Sequence, residues 1–177
     1  MILGISELSK LVTEAKLVEG LSERELTNPE GAGYDLRIGE IYELSDEEGY
    51  LGVENRKTPD LNLLCNEMSK EFLLKPGKYY VAMTIESLNL PKNISAIFKP
   101  RSTLFRSGVT IFTGIASPGY NGKLGFGLIN MGHKDFRLEI GSRIAHAMFL
   151  TVEGDANLYR GQWQGGRTHT TEIETQI

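Results

Sequence analysis

Cysteine and histidine are scarce in this sequence, and their scarcity excludes several kinds of site. Cys65 is the only cysteine, so neither an internal disulfide nor a thiolate metal site is available. A zinc-dependent deaminase needs a His-x-Glu segment and a Pro-Cys-x-x-Cys segment, and the chain has neither. The three histidines, His133, His146 and His169, are scattered, and we expect no zinc. His146 lies in an apolar segment, which makes it the histidine of most interest.

Long apolar runs and an excess of positive charge are also lacking. No apolar run approaches the roughly 18 residues that a membrane helix needs, and the N-terminus does not resemble a signal peptide. We therefore predict a soluble, cytoplasmic protein that binds no membrane. A net charge of −4 and a pI near 5.5 argue against nucleic acid as the partner. Any polyphosphate ligand must be small and held by local cations.

The pattern of turns and apolar segments predicts a mainly β fold. Ser6 and the apolar residues at helical spacing after it predict a short N-terminal helix over residues 6–16, with Ser6 as its N-cap. From Tyr34 onward, turn formers separate short runs rich in β-branched and aromatic residues. The predicted strands are Tyr79–Ile85, Ile94–Phe98, Val109–Thr113, Leu124–Ile129 and Ile144–Leu150. Strands at this spacing are typical of an all-β, jelly-roll-like barrel or sandwich.

Length and composition predict one domain with a polar tail. The chain has 177 residues, 40% of them hydrophobic, which suits a single domain over residues 1–165. Within it, residues 46–66 mix charged and polar side chains and are interpreted as a surface excursion. Residues 166–177 are polar, the composition of a flexible C-terminal tail that stays mobile until something docks it.

Three segments combine glycines, cations and hydroxyls in predicted loops, where ligand sites concentrate. They are Gly31–Gly39, Pro100–Gly108 and Thr113–Gly122. In the second segment, the Arg101 guanidinium stands beside the hydroxyls of Ser102 and Thr103, and Arg106 adds a second cation. This combination suits phosphate oxygens. The alternative is an arginine in a surface ion pair next to an ordinary turn. The P-loop, dinucleotide and nucleophile-elbow motifs are all missing.

Taken together, these segments resemble the motifs of a known superfamily. Ala32–Gly39, Pro100–Gly108, Ser117–Gly122 and Tyr159–Gly165 follow the order of the motifs of dUTPases and dCTP deaminases. The resemblance covers nearly the whole chain and is greatest to the archaeal-type dUTPases, which are built like dCTP deaminases but hydrolyse dUTP. It implies a dUTPase-like fold, a homotrimer with shared active sites, and a deoxyribonucleoside triphosphate, dUTP or dCTP, as ligand.

The resemblance also assigns roles to residues. Phosphates would be bound by Arg101, Ser102, Thr103 and Arg106. The pyrimidine would be received by backbone groups of Thr113, Gly114, Ile115 and Ala116, and the deoxyribose would pack on Tyr120. The segment that closes over the triphosphate would contribute Tyr159, Arg160, Gln162 and Gln164. Asp35 matches the carboxylate near the Mg²⁺ that accompanies the triphosphate, and the alternative is an aspartate that caps a turn.

Three positions depart from the pattern of the superfamily. Ser117 stands where a dUTPase has the aspartate that activates the attacking water, and a neutral hydroxyl is not a competent general base. Gly127 replaces the glutamate that dCTP deaminases use for proton transfer at C4. His146 stands where relatives commonly carry glutamine, as a polar contact or a new proton acceptor. Loss of a positioned base costs about 10²- to 10⁴-fold in rate.

The sequence therefore predicts a Mg²⁺-dependent dUTP diphosphatase, which attacks the α-phosphorus with water and gives dUMP and pyrophosphate. Asp35 and Ser117 are the candidate catalytic residues, and a relocated base would be Asp35, Asp135 or Glu139. Two alternatives stay open. One is a dCTP deaminase, which Gly127 disfavours, and the other is a non-catalytic deoxynucleotide-binding relative, which Ser117 and Gly127 together favour.

Overall fold

The computed structural model describes residues 1–176, which form a curled antiparallel sheet with few helices. The helices are α1 (Ile5–Ala15), α2 (Glu23–Thr27) and α3 (Ser102–Arg106). The first seven strands are β1 (Val18–Glu19), β2 (Tyr34–Leu44), β3 (Tyr50–Leu51), β4 (Asn55–Lys57), β5 (Leu61–Cys65), β6 (Glu71–Leu74) and β7 (Tyr79–Asn89). The others are β8 (Ile94–Pro100), β9 (Val109–Phe112), β10 (Ile115–Ala116), β11 (Asn121–Asn130), β12 (Phe136–Glu139), β13 (Arg143–Thr151) and β14 (Glu174–Thr175).

Helix α1 confirms the predicted N-terminal helix, but its N-cap differs from the prediction. Gly4 takes the N-cap position without a side-chain hydrogen bond, and Ser6 lies in the first turn. The helix begins earlier because the backbone amides of Glu7 and Leu8 already bond to the Gly4 carbonyl. It ends at Lys16, which adopts a left-handed conformation. Within residues 1–176, no helix is long and apolar enough to cross a bilayer.

The main sheet has the order β10-β8-β13-β2-β7-β11-β9, and the five strands predicted from the sequence all lie in it. Strand β2 joins its two halves, because its first part pairs with β13 and its second part pairs with β7. The register shifts between Ile38 and Glu40, and a Cβ at Gly39 would lie 3.0 Å from Ile85 Cγ1. Glycine allows the close approach at this bend, and the curled sheet confirms the predicted all-β fold.

Strand β11 shows how the sequence divides the sheet into an inner and an outer face. Its even-numbered residues, among them Leu124, Phe126 and Leu128, are buried in the core. The odd-numbered residues, including Gly125 and Gly127, face outward. Burying each large apolar side chain contributes about 1.5–3 kcal/mol to stability. The inner face therefore stabilises the fold through the core, and the outer face of β11 is available to line a binding site.

The predicted surface excursion and the C-terminal tail form a small structure together, which the sequence did not predict. The excursion contains β3, β4 and β5, and β5 pairs with β2 of the main sheet. Strand β14 of the tail pairs with β4, and buried Thr170 exchanges backbone-to-hydroxyl bonds of 2.9 Å with Thr58. The tail is thus in a docked arrangement up to residue 176. Its flexibility stays a prediction, and Ile177 lies outside the described residues.

Candidate functional site

Asp35 is the centre of a buried cluster of charged side chains at one end of the sheet. It lies on β2 opposite His146 of β13, and only 1% of its surface is exposed. Its Oδ2 accepts from Arg101 Nη1 at 2.6 Å and from Arg143 Nη1 at 2.9 Å. The other oxygen, Oδ1, lies 2.9 Å from His146 Nδ1. Sequence analysis named Arg101 and His146 here but missed Arg143.

A second buried carboxylate, Glu25, supports this cluster from helix α2. Its Oε2 accepts the backbone N–H of Asp35 at 2.9 Å, and its Oε1 pairs with Arg24. The Arg143 guanidinium also lies 3.9 Å from Glu25. Sequence analysis missed both Arg24 and Glu25, because charged residues in a short segment look like an ordinary solvated turn. The cluster therefore balances two buried carboxylates against three arginines.

The cluster keeps Asp35 ionised. Burial raises the pKa of Asp35, but the hydrogen bond with His146 and the charge of Arg101 outweigh burial. Arg143 adds to this effect, and the net result is a pKa below the usual value. Both carboxylate oxygens are engaged by side-chain nitrogens of Arg101, Arg143 and His146, so the described arrangement does not fit Asp35 as a direct Mg²⁺ ligand. Within residues 1–176, no cluster of three or more acidic, histidine or cysteine side chains forms a metal site.

The predicted phosphate-binding residues surround helix α3, beside a cavity of about 490 Å³. Arg101 and Thr103 line this phosphate-side cavity together with Arg137, Ser142 and Arg143. Ser102 and Arg106 do not line it, and Arg106 stacks over Phe105, 6.0 Å from the ring centroid. Glu139 lines the cavity too, whereas Asp135, another candidate base, pairs with Lys75 at 2.6 Å. The structure thus brings two of the four predicted phosphate contacts to one cavity.

The predicted pyrimidine loop lines a second cavity of about 710 Å³ on the outer face of the sheet. Gly114, Ile115, Ala116 and Tyr120 form one wall of this base-side cavity, whereas Thr113 does not line it and donates to the Phe98 carbonyl. The floor consists of Tyr79, Val81 and Met83 on β7 and of Gly125 and Gly127 on β11. Its other walls come from residues of the excursion and of the C-terminal segment. The cavity is mostly apolar, as a site for a flat ring should be.

The C-terminal segment packs on the turn that holds Ser117 and Tyr120. The Tyr159 backbone N–H donates to Pro118 O at 2.7 Å, and its ring meets the Tyr120 ring edge-on, with centroids 5.4 Å apart. The Gln164 side chain donates to Gly119 O at 3.0 Å and accepts from the Asn121 backbone N–H at 3.2 Å.

The remaining predicted residues of this region vary in their surroundings. Arg160 is exposed, and Gln162 has a buried side-chain oxygen without a hydrogen-bond partner among residues 1–176. Trp163 and Arg167, which sequence analysis did not name, line the base-side cavity. Ser117 is half-buried, and its carbonyl accepts from the Tyr120 N–H at 3.1 Å. These contacts hold the Ser117–Gly122 loop in place.

Carboxylates are missing from the base-side cavity. None of the residues that line it in the described part of the chain is an aspartate or a glutamate. At Gly127, a Cβ would lie 2.3 Å from the Tyr79 hydroxyl, so the tyrosine occupies the space that a side chain would need. The two cavities also share no lining residue. The fold and site define a jelly-roll-like protein with one mostly apolar cavity and a second cavity lined by three arginines.

Comparison with known proteins identifies the family to which this chain belongs. The family model described as dCTP deaminase-like matches residues 2–152, and the chain belongs to that family. A probable deoxyuridine 5′-triphosphate nucleotidohydrolase of Methanothermobacter thermautotrophicus is 35% identical over 140 residues, 79% of this chain and 89% of that protein. A dCTP deaminase of Thermococcus kodakarensis is 32% identical over 152 residues, 85% of this chain and 86% of that protein.

A solved structure supports the same fold. The crystal structure of the 2′-deoxycytidine 5′-triphosphate deaminase from Agrobacterium tumefaciens matches with a TM-score of 0.65 at 19% identity. The match covers 84% of this chain but only 46% of the Agrobacterium protein, so this chain spans less than half its length. The curled antiparallel sheet is therefore the fold of this family, as the sequence motifs predicted.

Proposed function

We propose that this protein is a dUTP diphosphatase, which hydrolyses dUTP to dUMP and pyrophosphate. The observation that carries the proposal is the base-side cavity of about 710 Å³, in which Gly114, Ile115, Ala116 and Tyr120 of the predicted pyrimidine loop form one wall. Relatives named as nucleotidohydrolases of deoxyuridine triphosphate at 32–36% identity support the choice of substrate. The sugar would pack on the buried ring of Tyr120, whose hydroxyl already donates to the Lys123 carbonyl.

The phosphates are assigned to the cavity beside helix α3, where Arg101 and Thr103 stand near Arg143. This cavity shares no lining residue with the base-side cavity of the same chain. We therefore assign the base of one nucleotide to the base-side cavity of one subunit and its phosphates to the phosphate-side cavity of an adjacent subunit. A homotrimer with shared active sites supplies such pairs by its closed symmetry. Exposed apolar side chains next to the predicted site, Phe112 at 57% and Ile115 at 71% exposure, support burial in such an interface.

Catalysis in this proposal rests on positioning and on charge neutralisation rather than on an aspartate base. Ser117 adjoins the sugar platform, and Glu139 is the carboxylate candidate that lines the phosphate-side cavity. Asp35 is too tightly paired with arginines to accept a proton readily, because they stabilise its ionised form. Mg²⁺ bound to the triphosphate would neutralise part of its charge, and Asp35, already engaged by Arg101, Arg143 and His146, would not ligate it directly.

A dCTP deaminase is the second candidate, and the relative from Thermococcus kodakarensis favours it. Gly127 argues against deamination, because the Tyr79 hydroxyl fills the space where a glutamate side chain would begin. A deoxynucleotide-binding protein without turnover is the third candidate, and the absence of carboxylates among the described residues of the base-side cavity favours it.

Product analysis separates the three functions. The protein is incubated with each common deoxyribonucleoside triphosphate and Mg²⁺, and the products are resolved by ion-exchange chromatography. The proposal expects dUMP and pyrophosphate from dUTP. Conversion of dCTP to dUTP with release of ammonia would identify a deaminase, and tight binding without products would identify a nucleotide-binding protein.

A further inference from the structure

One hydroxyl in the base-side cavity has no hydrogen-bond partner. The Tyr120 hydroxyl donates to the Lys123 carbonyl, and the Tyr159 hydroxyl accepts from the Trp163 N–H at 3.3 Å. The two threonine hydroxyls of the cavity are bonded to neighbouring side chains. In the described part of the chain, the Tyr79 hydroxyl alone among the cavity's hydroxyls is bonded to nothing. It is therefore free to bond a ligand.

The position of Tyr79 depends on the glycine at 127. Tyr79 begins β7, and Gly127 lies on the adjacent strand β11, where Gly127 pairs with Val81. A Cβ at residue 127 would lie 2.3 Å from the Tyr79 hydroxyl and 3.0 Å from two of its ring carbons. Phe112, which pairs with Gly127 across β9 and β11, has its ring centroid 6.4 Å from that of Tyr79. The phenol thus lies across the cavity floor, and only glycine at 127 leaves it this space.

The same surroundings keep the phenol protonated. Burial raises the pKa of Tyr79 above its usual value, so the hydroxyl remains a donor at neutral pH. The floor around it is apolar, with Val81 and Met83 as its neighbours along β7. Tyr79 keeps 41% of its surface exposed, so its hydroxyl can exchange a bond to water for a bond to a ligand. A ligand with an acceptor at this point is favoured by the modest amount that one neutral hydrogen bond contributes.

We propose that Tyr79 is a specificity-determining residue, whose hydroxyl donates a hydrogen bond to a carbonyl oxygen of the pyrimidine. This inference rests on the proposed function and names a side chain that reads the base in addition to the backbone groups of the loop. Gly127 is its positioning partner, because it makes room for the phenol. The glycine at 127, where dCTP deaminases carry a glutamate, and the position of Tyr79 therefore depend on each other.

The first test replaces Tyr79 by phenylalanine, which keeps the ring and removes the donor. Calorimetry measures the Kd of dUTP and of inorganic tripolyphosphate, each with Mg²⁺. We expect Tyr79→Phe to weaken dUTP binding by about 3- to 10-fold, the usual effect of one neutral hydrogen bond. Tripolyphosphate binding should not change, because that probe has no base. Tyr80→Phe is the matched control, since the Tyr80 hydroxyl accepts from Lys75 N away from the cavity.

The second test examines the coupling between Tyr79 and Gly127. Gly127→Ala should displace the phenol and weaken dUTP binding about as much as Tyr79→Phe does. In a Tyr79→Ala background, where the ring is missing, Gly127→Ala should cause little further loss. Losses that simply add in the double variant would overturn the positioning role of Gly127.

The outcomes separate this inference from the proposed function. A parent protein that binds neither dUTP nor tripolyphosphate contradicts the proposed function, and the Tyr79 role falls with it. A parent that binds dUTP, with Tyr79→Phe showing an unchanged Kd, overturns the Tyr79 role alone. Equal weakening of dUTP and tripolyphosphate binding also overturns it, because a general loss of structure would then explain the effect.

Discussion

Arg101 lines the phosphate-side cavity and also contacts the buried carboxylate of Asp35 at 2.6 Å. The ion pair fixes the guanidinium against the protein, which lowers the entropy that Arg101 would lose on binding a phosphate. Part of its fork remains for the ligand, because the contact uses only Nη1. Preorganisation of this kind explains how a chain with a net charge of −4 can bind a polyphosphate.

Replacing Arg101 by alanine should therefore abolish measurable binding of dUTP. A charged hydrogen bond contributes about 1.5–3 kcal/mol, which corresponds to at least about a 10-fold loss of affinity. Arg24→Ala is the matched control, because Arg24 lies 3.9 Å from Asp35 but does not line the cavity. Calorimetry on variants that retain the parent circular dichroism measures the effect. Unchanged affinity in folded Arg101→Ala would show that the phosphate site lies elsewhere.

Ser117 offers a direct test of the missing base. Its backbone carbonyl closes the turn to Tyr120, so a new side chain at 117 leaves that hydrogen bond in place. We expect Ser117→Asp to raise kcat with dUTP by up to about 10²-fold, with little change in KM. Ser117→Asn has a similar shape without the charge and should give no gain. A fast parent enzyme with no improvement in Ser117→Asp would mean that another group, such as Glu139, is the base.

At the scale of single residues, the sequence indicated contacts that lie in motifs but not those that arise from pairing between distant segments. Arg101, Thr103 and Tyr120 could be named because each stands in a motif of the superfamily. Arg143 and Tyr79 could not, because their importance comes from strands that meet only in the folded chain. Ser22 followed by Glu25 has the spacing of a capping box and could have indicated the start of α2, but not the bond from Glu25 to the Asp35 backbone.

At the scale of elements, the charge cluster joins three strands and one helix. Asp35 of β2 is bound by side chains from the ends of β8 and β13, and Glu25 of α2 bonds the backbone of β2. The buried Asp35 carboxylate keeps other partners when one arginine is removed, so each single loss weakens the cluster without leaving the charge unpaired. The cluster therefore stabilises the local arrangement of the phosphate-side cavity as well as the sheet.

This cluster predicts a stability that falls in acid. The pKa of Asp35 is lowered in the folded state, so its contribution is present above the ordinary aspartate pKa and is lost as the pH falls toward the folded value. Urea unfolding between pH 6 and about pH 3 should show this decline, and Asp35→Asn should show less of it. Asp155→Asn, at an exposed position, is the control. Parallel pH profiles for parent and Asp35→Asn would contradict the assignment.

The buried carboxylate of Glu86 has the opposite effect on the pH dependence of stability, so the parent must be compared with Asp35→Asn. Burial raises the pKa of Glu86, and the hydrogen bonds and charge of Arg37 offset this only in part. The contribution of Glu86 to folding stability is therefore present at low pH and is lost as the pH rises through its folded pKa. The difference between parent and Asp35→Asn isolates the effect of Asp35 from that of Glu86.

The elements themselves were predicted with uneven success, for physical reasons. Runs of β-branched residues identified the long strands, because such residues fit a pleated, half-buried surface. Helices α2 and α3 are five residues each and too short to show a helical period. Strand β4 pairs with β3 inside the excursion and with β14 of the tail, and neither the excursion nor the tail has a clear strand pattern in its sequence.

At the scale of the whole molecule, the resemblance to dUTPases and dCTP deaminases predicts a homotrimer. Light scattering should give three times the 19.7 kDa mass of the chain at micromolar concentrations. The base-side and phosphate-side cavities of one chain share no lining residue, which fits a nucleotide site shared between subunits. A monomer mass across that concentration range would contradict the shared active site.

The central claim is that water attacks the α-phosphorus of dUTP, and the fate of an oxygen label tests it most directly. The reaction is run in water enriched in ¹⁸O, and the products are analysed by mass spectrometry. The account predicts dUMP with one labelled oxygen and unlabelled pyrophosphate. Label in the pyrophosphate, formation of dUDP and phosphate, or recovery of intact dUTP would contradict it.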